Sequence, residues 1–337
     1  MSQHRIVFLD AETLGLASLD SKGLTENFAD GLKDDLSEGL SDAHANSIDA
    51  DVTIFDNTAP SEVKERIRHA SVILVNKVVL NADTLSAANS LKYIGVTATG
   101  MNNIDLDYCN VNGIEVRNVT AYGTDSVAQH TLTLLLNVAT RFVQYQHDVH
   151  AGKWSASPHF CLSSHPVVEL AGKHAVIVGH GELGKRVEVL LKALGMRVSI
   201  AARPGKKEDT RPSLSSLLPH ADVVTLHCPL TDDTHQLIDA KALSLMKPSC
   251  FLINTARGGL VDEHALLNAL MSKQLGGAGL DVLSVEPPPE DHILLKANLP
   301  NLIISPHNAW IGVNARQTLL DKTVAQLKAF IADRGNA

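Results

Sequence analysis

The chain has 337 residues, which at roughly 100–200 residues per domain points to two domains. Apolar residues make up 45% and charged residues 20%, the balance of a packed protein and not of a disordered one. Twenty-nine Lys and Arg stand against 37 Asp and Glu for a net −8, and aromatics are 4%; the charge argues against a nucleic-acid partner, and the aromatic content against a stacking platform for single strands.

The start, MSQHRIVFLDAETLG, reaches a charge after few apolar residues, unlike a signal peptide. Residues 5–10 (RIVFLD), 51–55, 71–76 and 93–98 read as strands, with a helix over 61–70 carrying Glu62, Lys64 and Arg66. That β-α-β alternation implies a parallel sheet with helices on its faces. Between the first two strands lies an acidic stretch, residues 20–42, with seven acids, two lysines and the dipeptide Gly-Leu at 23, 31 and 39. It reads as a solvated surface insertion, the alternative being an acidic docking segment. A helix over 125–142 (DSVAQHTLTLLLNVATRF) is apolar on most faces, so burial and a role as domain connector are expected.

The alternation is clearer in the second half. Strands are expected over 173–179, 197–202, 222–228, 250–256, 277–283 and 302–307. Helices are expected over 183–194, 214–221, 239–246 and 262–272, and an amphipathic helix over 313–331. Four scattered cysteines (Cys109, Cys161, Cys228, Cys250) without a C-x-x-C pair read as reduced, mostly buried thiols of a cytoplasmic protein. No stretch approaches the ~18 apolar residues of a membrane span, so no membrane partner is expected. His147 and His150 lack a third ligand, so no metal is expected either.

The strongest motif is GHGELG, directly after the apolar strand HAVIVG and directly before a helix. Gly179 allows the tight turn, Gly181 lets the backbone approach a pyrophosphate, and Gly184 lets helix and strand pack closely. The helix N-terminus faces the diphosphate with free N–H groups and a positive dipole end. The next strand, RVSIAA, ends at Ala202 where an acid for ribose hydroxyls belongs. Arg203, Pro204, Gly205, Lys206 and Lys207 follow, a cluster suited to a 2′-phosphate, although Glu208 and Asp209 come next. Arg257 in INTARGGLVDE, Glu286 in GLDVLSVEPPP and His307 in SPHNAW then fall at three strand ends. Strand ends of open α/β sheets border the ligand crevice. An arginine there can clamp a carboxylate, and a His–carboxylate pair fixes an imidazole for proton transfer.

These residues make the chain resemble the D-isomer-specific 2-hydroxyacid dehydrogenases, and within them the glycerate dehydrogenase or hydroxypyruvate reductase branch. The resemblance rests on LVNKVVL, LKYIGVTATGMNNID, AYGTDSVAQHT, VELAGK, GHGELG, LHCPLTDDT, INTARGGLVDE, GLDVLSVEPPP and SPHNAW, and spans nearly everything outside residues 20–46. It implies an α/β, two-lobed fold of doubly wound parallel sheets: a flavodoxin-like substrate domain formed by residues 1–121 and 306–337, and an inserted Rossmann dinucleotide-binding domain, residues 122–305. It implies a homodimer.

By the same resemblance the catalytic residues are His307, Glu286 and Arg257. The substrate-carboxylate loop is Val75, Asn76 and Lys77, with Gly100 nearby and Trp310 lining the pocket. Cofactor contacts fall on Thr124, Gly179, Gly181, Glu182, Leu183 and Gly184 around the glycine loop. They continue through Arg203 and Pro204, Cys228 and Thr234, Thr255 and Ala256, and Asp281 and Ala309. The implied reaction is hydride transfer between NAD(P)H and a small 2-keto acid, hydroxypyruvate to D-glycerate or glyoxylate to glycolate. NADP(H) is preferred over NAD(H) on the Ala202–Arg203 departure. A second departure is Asn308, where an apolar residue is usual. A dinucleotide-sensing binding protein, like the corepressor relatives, and a phosphoglycerate dehydrogenase are the alternatives.

Overall fold

Short Val-, Ile- and Leu-rich runs build two parallel sheets in this computed structural model, which describes residues 4–25, 50–206 and 208–335. Most of the acidic segment, with the Gly-Leu pairs at 31 and 39, and Lys207 lie outside the described residues. The chain divides into two units, Met1–Gly123 with Ile311–Ala337, and Thr124–Trp310.

In the first unit the elements run β1 (His4–Phe8), α1 (Lys22–Thr25), β2 (Ala50–Ile54), α2 (Val63–Ile67), β3 (Val72–Val75), α3 (Ala82–Leu85), β4 (Tyr93–Val96), α4 (Leu106–Val111) and β5 (Glu115–Asn118). The sheet order is β2-β1-β3-β4-β5, all parallel, the flavodoxin-like order. Every residue of β3 (VILV) and β4 (YIGV) is buried, as parallel strands covered on both faces require. Asn81 and Asp105 cap α3 and α4 by accepting the N–H of Thr84 and Tyr108, each at 2.9 Å. Sequence periodicity does not reveal α4, only six residues long, or β5, whose EVRN is half-buried throughout.

The second unit holds α5 (Thr124–Thr140), α6 (Phe142–His150), β6 (His174–Val178), α7 (Glu182–Ala193), β7 (Arg197–Ile200), α8 (Leu214–Leu217), β8 (Val223–Leu226), α9 (Ala240–Leu245), β9 (Phe251–Asn254), α10 (Glu263–Met271), β10 (Gly277–Leu280), α11 (Ile293–Lys296) and β11 (Leu302–Ile304). Its sheet runs β11-β10-β9-β8-β6-β7, again all parallel. The helix expected over 125–142 stops at Thr140. Arg141 is left-handed (φ 56°) and its guanidinium donates to the Gly276 carbonyl at 2.9 Å. Helix α5 buries one face, through Ala128, Leu134, Leu135 and Val138, while Gln129, Thr133 and Leu136 stay exposed. It lies wholly within the second unit, packed on β9, β10, β11 and α7.

The last helix, α12 (Val313–Gly335), belongs to the first unit. Phe330 packs on Tyr93 with ring centroids 4.5 Å apart, and Arg316 donates to the Leu14 carbonyl at 2.6 Å. Among the described residues no helix is long and apolar enough to cross a membrane.

Candidate active site

Each sheet reverses its strand order once, and ligands of doubly wound folds collect at that point, beyond the carboxyl ends of the strands. In the second unit the reversal lies between β6 and β8. Here Gly179 has φ 94°, and a Cβ on it would sit 2.5 Å from the carbonyl of His227, across the switch point. A Cβ on Gly184 would strike the Gly179 carbonyl, whereas one on Gly181 meets nothing within 4 Å. The loop is therefore closed against the strand and open where Gly181 caps α7. That open, donor-rich helix end suits a dinucleotide diphosphate. Glu182 opens α7 and accepts from the Thr124 hydroxyl at 2.6 Å; Leu183 packs into the core.

At the end of β7, the Ala202 N–H is taken by the Pro212 carbonyl at 2.8 Å, and Pro204 is half-buried in the turn that follows. The side chain of Arg203 is 67% exposed, while that of Asp209 is 6% exposed. Asp209 accepts from Arg211 Nε at 2.8 Å, from the Arg203 N–H at 3.0 Å and, weakly, from Arg203 Nε at 3.4 Å. The Arg211 side chain, then the Arg203 backbone, hold this carboxyl far below the usual range. Arg211, not Arg203, is thus its main partner.

At the end of β8, the Cys228 thiol is enclosed and pushed up to about 11 by burial. His227 bonds Thr225 through Nε2 at 2.9 Å, but its Nδ1 is buried without a partner, and burial holds the ring down to about 3. Thr234 donates to the Pro229 carbonyl at 2.7 Å.

Beyond β9, the Thr255 hydroxyl pairs with that of Thr131 on α5 at 2.9 Å. Asn254 splints the turn, accepting the Ala256 N–H at 3.0 Å and donating to the Arg257 carbonyl at 2.8 Å. Arg257, half-buried, donates through Nη1 to the Ala256 carbonyl at 2.7 Å. Beyond β10, Asp281 is 1% exposed. Its carboxylate accepts from Ser305 Oγ (2.6 Å), the Asn308 N–H (3.0 Å) and the Ala309 N–H (2.9 Å), with His130 Nε2 at 3.3 Å. Burial pushes this carboxyl up, but those hydrogen bonds, led by His130, outweigh it and lower it.

Beyond β11, His307 is left-handed (φ 51°), an unusual state for a residue with a Cβ. Its ring Nδ1 lies 2.6 Å from Glu286 Oε2. The other carboxylate oxygen, Oε1, accepts the Leu283 N–H at 2.9 Å. With Nδ1 committed to Glu286, Nε2 is the nitrogen left for a substrate. The side-chain Oδ1 of Asn308 is buried without a partner, and Trp310, half-buried, ends the unit. Glu286 and His307 are thus brought together, and Arg257 stands at the end of β9, two strands from β11.

The first unit reverses between β1 and β3. Val75 and Asn76 are buried there, while Lys77 is exposed and Gly100 half-buried. Asp10, 3% exposed, accepts three successive backbone N–H groups, from Asn76 (2.8 Å), Lys77 (2.5 Å) and Val78 (3.0 Å). Asn103 Nδ2 donates to the Val78 carbonyl at 2.9 Å. Both side-chain amide atoms of Asn76 are buried without partners. Sequence reasoning passed over Asp10, His130, Asn254 and His227. The signal for Asp10 was an acid ending the apolar run RIVFLD.

Residues 132–309 match the family model described as D-isomer specific 2-hydroxyacid dehydrogenase, NAD binding domain. The chain is 42% identical over 275 residues to the glycerate dehydrogenase of Methylorubrum extorquens, covering 82% of this chain and 87% of that one. It is 34% identical over 286 residues to the hydroxypyruvate reductase of Blautia hydrogenotrophica, covering 82% and 88%. Among solved structures it is similar to the NADPH-dependent glyoxylate/hydroxypyruvate reductase of Sinorhizobium meliloti in complex with NADP and malonate, with a TM-score of 0.76, 25% identity, and 98% and 94% of the two chains covered. The two parallel sheets, the open glycine loop and these likenesses agree: the chain belongs to the D-isomer-specific 2-hydroxyacid dehydrogenases, oxidoreductases that use a nicotinamide dinucleotide.

Proposed function

We propose that this dehydrogenase reduces hydroxypyruvate to D-glycerate, and glyoxylate to glycolate, with NADPH favoured over NADH. The observation that carries the reading is the His307–Glu286 pair at 2.6 Å, beyond the carboxyl end of a sheet whose glycine loop is open at Gly181. The names of the relatives above support the substrate class. The dinucleotide, when bound, supplies or takes the hydride.

Arg257 holds the carboxylate of the 2-keto acid through its guanidinium fork and draws electron density from the adjacent carbonyl. His307, protonated, gives its Nε2 proton to the carbonyl oxygen as the carbonyl carbon receives the hydride, and is left neutral. Glu286 fixes the ring's orientation through Nδ1. In the oxidative direction the same imidazole takes the hydroxyl proton. Asn76 and Lys77, presented by the loop that Asp10 grips, and Gly100 and Trp310 are the further substrate contacts in this reading.

NADPH preference is supported by Ala202 standing where a carboxylate would repel a 2′-phosphate, and by the exposed guanidinium of Arg203. A cytoplasmic location is supported by four free thiols, three of them buried. A homodimer through the second unit is supported by the exposed apolar side chains Phe142, Val143, Trp154, Phe160 and Val167. The test is steady-state reduction of a 2-keto acid panel with both dinucleotides. The reading expects hydroxypyruvate and NADPH to give the highest kcat/KM.

A further inference from the structure

We infer that Ser126 and His130, one turn apart on α5, are positioning residues that hold the proton donor His307 in register. The loop 305–309 carries His307 in a left-handed conformation, which costs roughly 1–2 kcal/mol in a residue with a side chain and persists only where the surroundings hold it. The hold comes from α5 at both ends of the loop. Ser126 Oγ donates to the Ala309 carbonyl at 2.6 Å. His130 Nε2 lies 2.8 Å from Ser305 Oγ.

The protons run in one direction along this chain. Ser305 Oγ gives its single proton to Asp281 Oδ1 at 2.6 Å, so it receives one from His130, whose Nε2 is the donor. Asp281 in turn accepts the N–H groups of Asn308 and Ala309, and its own carbonyl accepts the N–H of His307 at 2.8 Å. Every backbone N–H from 307 to 309 is thus bound to one residue, which His130 and Ser305 orient. Helix α5 makes a firm base, because Ala128, Thr131 and Leu134 bury its other side in the core. Thr131 also reaches Thr255 at the end of β9, so the same helix steadies the strand end that leads to Arg257.

The inference rests on His307 being the proton donor, so its test includes His307→Asn. The full chain is assayed for hydroxypyruvate reduction with NADPH, and dinucleotide affinity is measured separately by fluorescence. His130→Leu is expected to lower kcat about 10–100-fold, as a misplacement near 1 Å does, with dinucleotide Kd and keto-acid KM within about twofold of wild type. His130→Gln, whose side-chain nitrogen falls near the place of Nε2, should stay within about threefold of wild type. Ser126→Ala should lower kcat in the same sense. In a His307→Asn background, His130→Leu should change kcat by less than about twofold, because residues acting through one group are not additive.

A full additive loss in that background, a loss that appears in dinucleotide Kd, or an unchanged kcat in His130→Leu would each overturn the positioning role. If His130→Leu does not fold, as judged by circular dichroism, Ser126→Ala carries the same cycle with the same two outcomes. A wild-type kcat in His307→Asn alone would instead overturn the donor assignment.

Discussion

The Glu286 carboxylate is shared between two partners, the backbone N–H of Leu283 on Oε1 at 2.9 Å and the imidazole Nδ1 of His307 on Oε2 at 2.6 Å. The first bond fixes where the carboxylate stands; the second fixes how the ring is turned. If His307 is the proton donor, His307→Asn lowers turnover by about 10²–10⁴-fold while dinucleotide binding persists. The carboxylate is what turns the ring, so Glu286→Gln lowers kcat for keto-acid reduction by loosening the donor's placement. Turnover of hydroxypyruvate by the wild type and Glu286→Gln checks this; an unchanged kcat in the variant contradicts it.

Arg257 follows a turn splinted by Asn254, so its backbone is set before any substrate arrives. Arg257→Lys should not rescue function, because an ammonium cannot reproduce a two-pronged grip on a carboxylate. The main loss should appear in kcat/KM for the keto acid, since binding and carbonyl polarisation both suffer. Wild-type efficiency with lysine at 257 would make the arginine a structural charge.

Cofactor choice depends on the turn after β7. Arg211 is the close partner of Asp209, and Arg203 Nε lies at 3.4 Å, so the Arg203 fork has little to give up on meeting a phosphate. A hydrogen bond to a charged group contributes roughly 1.5–3 kcal/mol, and exposure brings this near the lower end, about tenfold in favour of NADPH. Arg203→Ala should remove that preference, and Ala202→Asp should reverse it by repelling the 2′-phosphate. The ratio of kcat/KM for the two dinucleotides reads the effect; no loss with NADPH in Arg203→Ala would reduce the turn to a solvated loop.

Stability should fall on mild acidification because of His227. Burial holds its ring down to about 3 in the folded protein, against about 6.5 when unfolded. Between those values the unfolded chain binds the extra proton, so unfolding is favoured as pH falls from about 6.5, by about 1 kcal/mol per pH unit. Carboxyls held low, among them Asp281 and Asp222, lose their contribution only below about pH 4. Denaturant unfolding of the wild type and His227→Gln at pH 7.5 and pH 5 separates the two ranges. The variant should show the smaller loss; equal losses would remove His227 from the account.

What could be read from sequence was local. HAVIVGHGELG holds strand, turn and helix start within eleven residues, and the three glycines sit where a Cβ would collide or where a ligand needs room. Arg257, Glu286 and His307 were visible because each follows an apolar run that ends a strand. The residues that hold them were not visible. His130 meets Ser305 across 175 residues, and Asp10 grips a loop 66 residues away, separations at which no period or spacing carries information. The break at Arg141 was hidden for another reason: the sequence around it is helical in pattern, and the left-handed turn is supported by a distant carbonyl, that of Gly276.

The most direct test is dinucleotide oxidation by the purified wild type and His307→Asn, each given hydroxypyruvate with NADPH after dinucleotide binding has been verified. The account predicts turnover by the wild type and a loss of about 10²–10⁴-fold in the variant, with binding retained in both. A wild-type protein that binds the dinucleotide yet reduces neither hydroxypyruvate, glyoxylate nor any other 2-keto acid of a panel would contradict it and leave a dinucleotide-sensing protein as the reading.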